Sequence, residues 1–423
     1  MKPQILLGPT ACPGDPRRVL PVAPEIVLDL TRLLSRVRHP TPTGIDRIEL
    51  CYARALLART PERLHFAATH PFGPYGRLDR RAVLRFLEAT ERRWNEIGAG
   101  ETGTAGWRHL LAALAGLRPR PIMPAARARV LLHISPSALE SPHKVGARLR
   151  RENARLVCLV HDLIPIAEPA FARADGPHRH ARRMISVARH AGGVIANSQA
   201  TGDALTTYLS AVGEPVPPLM VNSLAAAPLA ATASAAPPIE APYFLCLGTI
   251  EPRKNHLLLL HLWRQLAERA GTRPIPKLVL IGRRGWENQS VFHLLDRCAL
   301  LGPHVRELGR VPDRALSAWL AGASALLMPS FAEGFGLPIA EALAAGTPVI
   351  ASDLPAHREA GGDVPDYLDP LDGPGWRRSI LDYADPASPA RAAQLARLGC
   401  ARRPTWDDHI ERTLAFVDTV ARS

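Results

Sequence analysis

Pro329-Ser-Phe-Ala-Glu-Gly-Phe-Gly-Leu-Pro-Ile-Ala-Glu-Ala-Leu-Ala-Ala-Gly-Thr-Pro-Val-Ile-Ala-Ser-Asp-Leu-Pro355 is the stretch from which the fold is read. An apolar run before it, Ala323 to Met328, is short enough for a buried strand. A glycine-rich turn follows, Glu333-Gly334-Phe335-Gly336-Leu337. Pro338 then fits the first position of a helix, where its missing N–H has no partner to lose. That helix is expected to stop at Gly346, a natural C-terminal cap. Val349-Ile350-Ala351 reads as the next buried strand. Strand, glycine turn, helix, strand is half of a doubly wound α/β domain.

Ligands of such sheets bind beyond the carboxyl ends of the strands, against helix N-termini. Gly334 and Gly336 let backbone amides come close to an anion, and the helix dipole favours negative charge there. Glu333 and Glu341 bracket the turn. Carboxylates repel a bare phosphate, so hydroxyls are their natural partners. A ligand with both phosphates and sugar hydroxyls satisfies the set: a nucleotide sugar.

The pattern of Glu333, Gly334-Phe335-Gly336-Leu337-Pro338 and Glu341 resembles the retaining glycosyltransferases of family 4, which have the GT-B fold. The resemblance implies two Rossmann-like domains with parallel sheets facing across a cleft. It also implies that Glu333 faces the donor sugar, that Glu341 binds the nucleotide ribose, and that the turn between them lies along the donor.

At 423 residues the chain is long enough for two domains of ordinary size. It is 47% hydrophobic and 22% charged, which is usual for a globular protein. The net charge of +13 points to anionic partners. Nucleic acid is disfavoured, because aromatics are 5% and no basic-aromatic interleaving occurs. The six cysteines have no paired spacing, which argues against a disulfide framework or a zinc site and leaves a reducing cytoplasm as the expected setting. No run approaches the roughly 20 apolar residues of a membrane span.

Earlier in the chain, Glu25 to Leu30 reads as a strand. The breaker-rich loop Pro40 to Arg47 then opens a helix over Ile48 to Leu57. Its Thr-Gly-Ile-Asp-Arg string resembles the family's loop near the donor pyrophosphate, which nominates Gly44 and Arg47. Residues 60–128 carry no motif. Arg129 to Ile134 and Leu156 to Val160 read as buried strands, and the second delivers His161-Asp162-Leu163-Ile164-Pro165. A polar pair at a strand's carboxyl end is where an α/β enzyme places chemistry. This string resembles a motif of a mannosyltransferase-like branch of the family, so His161, Asp162 and Glu333 are the candidate catalytic residues.

His178 to His190 is strongly basic and reads either as a solvated helix face or as a contact for anionic lipid head groups. Gly193 to Ala196 is a strand, and Ser198 caps the helix after it; this resembles the family's strand–Ser–helix, which makes Ser198 an expected substrate-binding residue. Ser223 to Pro242, rich in Ala and Pro, reads as the interdomain linker. Tyr243 to Leu247 opens the second domain and leads to Gly248-Thr249-Ile250-Glu251-Pro252-Arg253-Lys254-Asn255. The resemblance puts a cation here against the donor diphosphate. Thr249 stands where many members have Arg, which leaves Lys254 with Arg253. Gly309-Arg310-Val311 matches the segment along the nucleobase.

The expected organisation is an acceptor domain over 1–222, a linker over 223–242, a donor domain over 243–402, and a helix over 403–423 crossing back. The reaction implied is retaining transfer of a hexose to a glycan or lipid-linked glycan acceptor of surface polysaccharide. The motif strings favour GDP-mannose by family likeness, with a UDP-sugar as the alternative. No Asp-x-Asp cluster is present, and no metal or other cofactor is expected. Against the enzyme stands a non-catalytic nucleotide-sugar binder, which the presence of both Glu333 and Lys254 disfavours. Peripheral contact with the inner face of an anionic membrane is the remaining expectation.

Overall fold

The computed structural model describes residues 23–423 except 40, 71–72, 97–113, 115, 125–126, 227–238, 240–241, 272–273 and 310. Among the described residues, thirteen strands form two sheets. In chain order they are β1 (Glu25–Asp29), β2 (Leu64–Thr69), β3 (Tyr75–Arg77), β4 (Arg129–His133), β5 (Ala154–Val160), β6 (Ala191–Ala196) and β7 (Leu219–Val221). After these come β8 (Tyr243–Leu247), β9 (Lys277–Ile281), β10 (Val305–Gly309), β11 (Ala325–Met328), β12 (Val349–Ser352) and β13 (Asp366–Leu368).

The first sheet runs β3-β2-β1-β4-β5-β6-β7 and the second β10-β9-β8-β11-β12-β13. All pairings are parallel except β2 with β3. Central strands such as β4, β8 and β11 are buried along their whole length, because helices cover both faces of a parallel sheet. Strand order reverses between β1 and β4, and again between β8 and β11. Loops at such switch points splay apart and leave a crevice at the carboxyl ends.

The decisive stretch folds nearly as read. The helix spans Leu337–Ala344 with Gly336 as its N-cap, so Pro338 stands one residue deeper than expected. Gly336 has φ +104°, a conformation that costs glycine least. Residues 60–128, where the sequence carried no motif, contain β2, β3 and the helix Arg80–Glu96. The expected linker falls largely outside the described residues.

The helix Trp406–Arg422 packs on the first sheet, burying Ile410, Val417 and Val420 in the same apolar cluster as Ile26 and Val130. A Cβ at Gly193 would lie 2.7 Å from Phe416 Cζ, so β6 must present glycine there for the helix to seat. The segment entering this helix is tied to the segment leaving the first domain. Asn222 Nδ2 donates to His409 O at 2.9 Å, His409 Nδ1 to Ser223 O at 3.0 Å, and Trp406 Nε1 to Ala226 O at 2.9 Å. No helix among the described residues is long and apolar enough to cross a membrane.

Candidate active site

Between the two sheets lies a cavity of about 710 Å³, lined by strand-end loops of both domains. That is within the range of a nucleotide-sized pocket. His161, Asp162, Gly44, Arg47, Gly248, Arg253, Lys254, Val311, Glu333, Gly334, Phe335, Gly336, Leu337 and Glu341 all line it. They come in short groups spread from Gly44 to Glu341, so only the fold brings the groups together.

Glu333 is the centre of the charged floor. Its carboxylate accepts from Arg253 Nη1 at 2.7 Å, from Ser330 Oγ at 2.9 Å, and from Lys254 Nζ. Burial would raise its pKa, but the two cations overcome that and hold the carboxyl well below its usual range. Arg253 also reaches Glu251 Oε1 at 2.6 Å. Two cations and two carboxylates therefore form one buried network. Gly248, at φ +130°, gives the Lys254 stem room: a Cβ there would sit 3.4 Å from Lys254 Cε. Both cations that the sequence nominates for the diphosphate are thus paired with Glu333.

Glu341 is 6% exposed. Burial pushes its carboxyl above the usual value, opposed by the nearby Arg47. Arg47 is held across the cleft by Asp313, with Nη1–Oδ2 and Nη2–Oδ1 both at 2.5 Å. The helix Gly44–Arg59 that carries Arg47 starts in a capping box between Thr43 and Asp46. Asp46 in turn accepts from Arg32 Nε at 2.6 Å. The residue types for that box were visible in Thr43-Gly-Ile-Asp46 but were not read as such.

On the opposite wall, His161 Nε2 lies 2.6 Å from Ile134 O. A carbonyl can only accept, so Nε2 carries the proton and Nδ1 is left as an acceptor. Burial lowers the imidazole pKa to about 4, and the ring is neutral at pH 7. Asp162 is anchored by accepting from Ile164 N at 3.1 Å, and its carbonyl accepts from His180 Nε2 at 3.0 Å.

The walls meet at Gly334, where a Cβ would come 2.0 Å from His161 O. Gly334 O accepts from Ser198 Oγ at 2.7 Å and from Thr201 Oγ1 at 3.1 Å. Ser198 is fully buried and is not among the residues that line the cavity. It is both the N-cap of the helix Gln199–Ala211 and a clasp between domains. Glu359 of the second domain accepts from Gln199 N at 2.5 Å and Ala200 N at 2.9 Å, which completes that helix start. Phe335 is 4% exposed and packs with the first domain's apolar cluster. Arg310, the other residue nominated beside the base, lies outside the described residues.

The basic stretch is the helix Gly176–His190. Arg179 and Arg183 turn toward the cavity, Arg183 pairs with Glu140, and Arg189 pairs with Glu214. His178, Arg179, Arg182 and Arg189 of this helix are exposed. Other contacts across the cleft were not anticipated: Phe171 stacks on Phe331 at 5.6 Å between centroids, and Arg173 lies 4.8 Å over the Trp286 ring.

Residues 232–363 match the glycosyl transferases group 1 family. The O-antigen chain mannosyltransferase B of Escherichia coli is 37% identical over 172 residues, 41% of this chain and 44% of that protein. A serotype-specific mannosyltransferase WbdA of Escherichia coli is 27% identical over 231 residues, 50% of this chain and 27% of that protein. The chain thus spans less than half the length of these curated relatives. The α,α-trehalose 6-phosphate synthase of Burkholderia multivorans aligns over 95% of this chain and 99% of its own, with TM-score 0.59 at 15% identity, a likeness of fold. The chain thus has the two-domain GT-B fold, its residues 232–363 are similar to the glycosyl transferases group 1 family, and parts of it are similar to bacterial mannosyltransferases.

Proposed function

We propose that this protein is a hexosyltransferase that moves mannose from GDP-mannose, with retention at the anomeric carbon. The acceptor in this reading is a glycan or lipid-linked glycan on the way to a surface polysaccharide. The observation that carries the reading is the Glu333 network, set in one cavity with His161 of the other domain. The mannosyltransferase relatives support the sugar.

The donor diphosphate lies against the start of the helix Leu337–Ala344, where amides and the helix dipole favour negative charge. Lys254 and Arg253 are then shared between Glu333 and the departing diphosphate. As the glycosidic bond lengthens, negative charge builds on the leaving group and positive charge on the sugar. Preoriented cations on one side and the Glu333 carboxylate on the other stabilise both without reorganising. His161, neutral and with Nδ1 as acceptor, takes a hydrogen bond from a sugar hydroxyl and does not add a competing positive charge. Glu341 faces the ribose, and Gly309 with Val311 borders the base.

A panel of GDP-mannose, UDP-glucose and dTDP-sugars, scored by donor hydrolysis and by transfer, tests the donor. Faster use of a UDP-sugar would replace GDP-mannose. Proton NMR of the product before it mutarotates tests retention, which an inverted anomer overturns. Binding of every nucleotide sugar with turnover of none would leave a binding protein in place of the enzyme.

A further inference from the structure

Nine arginine and lysine side chains line the cavity against four carboxylates. Neighbouring acids answer several of them: Asp313 pairs with Arg47, Glu140 with Arg183, and Asp175 with Arg179 at 3.5 Å. The Glu333 network answers Arg253 and Lys254. Asp46 alone serves both Arg32, at 2.6 Å, and Arg36, at 3.3 Å. Among the described residues, Arg283 has no carboxylate partner.

Arg32 and Arg36 stand on the first domain and Arg283 on the loop after β9 of the second, all three on the cavity wall. Arg36 Nε and Arg283 Nε are buried with no hydrogen-bond partner, and for Arg36 the Asp46 oxygen is near but not aligned. Burial lowers the Arg36 pKa, and both Arg32 and Arg283 add to that effect by repulsion. Like charges brought together across an interface cost free energy unless an anion sits between them. A guanidinium pair is well matched to the oxygens of a phosphate.

We propose that Arg36 and Arg283, with Arg32 beside them, seat a phosphate group carried by the acceptor, in addition to the donor's diphosphate. This deepens the glycosyltransferase reading and rests on it for the word acceptor. Two of the three guanidiniums belong to the first domain, the acceptor half in that reading. The third arrives only when the domains meet, so the phosphate would be gripped in the closed state and would favour it.

The test is calorimetric titration of inorganic phosphate into the protein saturated with GDP, for the parent, Arg36→Gln and Arg283→Gln. The parent should take up phosphate beside the nucleotide, and each substitution should weaken that uptake by about tenfold or more. GDP affinity should change by less than about threefold. Melting temperatures should not fall below the parent's in phosphate-free buffer, because each change removes a like charge, and this also confirms that the variants fold. Parental phosphate uptake in both variants, or none in the parent, overturns the proposal. A tenfold loss of GDP affinity also overturns it, because the guanidiniums would then belong to the donor. If no nucleotide binds at all, the glycosyltransferase reading fails. The same titration without nucleotide then still decides whether Arg36 and Arg283 hold phosphate.

Discussion

Replacing Glu333 with Gln removes one charge from a buried network and leaves its shape nearly unchanged. In the parent, the carboxylate answers Arg253, Lys254 and Ser330 together, and Lys254 is only 7% exposed. In the variant, Glu251 is the remaining acid for two cations. Breaking a buried ion pair by removing one partner costs roughly 3–5 kcal/mol. For a domain of this size that lowers the melting temperature by roughly 6–20 °C, at about 2–4 °C per kcal/mol. The folded-state carboxyl titrates well below its ordinary value. The stabilisation is therefore fully present above about pH 4.3 and is lost as pH falls through the folded pKa. Parent and variant should thus converge in stability in strong acid. The freed cations should bind a diphosphate more tightly, so GDP or UDP affinity should rise while turnover falls. Nucleotide at about 100 times its Kd would return about 2.7 kcal/mol of stability. Differential scanning fluorimetry with and without nucleotide, together with steady-state kinetics, measures all of this. A variant with the parental melting temperature, weaker nucleotide binding and parental turnover would refute the network's role.

Glu341→Gln should cost about 1.5–3 kcal/mol in binding, a 10- to 150-fold loss of nucleotide affinity with a smaller change in turnover; unchanged affinity by calorimetry removes Glu341 from the ribose. Gly334→Ala places a Cβ against His161 O, so transfer should collapse while nucleotide binding persists, and full activity would show that closure tolerates the methyl. Asp313→Ala releases Arg47 from the cleft pair and should enlarge the radius of gyration without nucleotide, as measured by small-angle scattering. His256 and His409 are buried, with pKa values lowered to about 3 and about 4. Stability should therefore fall as pH drops from about 6.5 toward 4, by up to about 1.4 kcal/mol per pH unit for each histidine, and His409→Gln should flatten part of that slope.

The parallel core was legible because strands buried on both faces are continuous apolar runs: Tyr243 to Leu247 was read at its observed bounds. β2 and β3 were not, since Leu64–Thr69 carries His65 among its apolar residues and Tyr75–Arg77 is a three-residue edge strand. Short motifs placed Glu333, Lys254 and His161 on one cavity, because each follows a strand and the fold brings strand ends together. What stayed hidden were the partners. Asp313, Glu359 and Phe331 meet residues more than a hundred positions away, and no local pattern marks such a pair. Ser198 illustrates the converse, a correct cap whose hydroxyl is spent on the neighbouring domain.

The chain crosses between domains twice, once after Asn222 and once before Trp406, and hydrogen bonds from Asn222, His409 and Trp406 fasten the crossings side by side. Two tethers anchored at one place leave the second domain a single rotational axis, like a door on adjacent hinge pins. Arg47 and Asp313 then cannot drift apart by more than the arc of that rotation, which keeps each at high effective concentration for the other. Reclosing once the cleft has opened is accordingly a short search. A protease nick in either crossing alone should leave the particle in one piece under native conditions, with the surviving tether and the buried Tyr52–His409 contact holding the halves together.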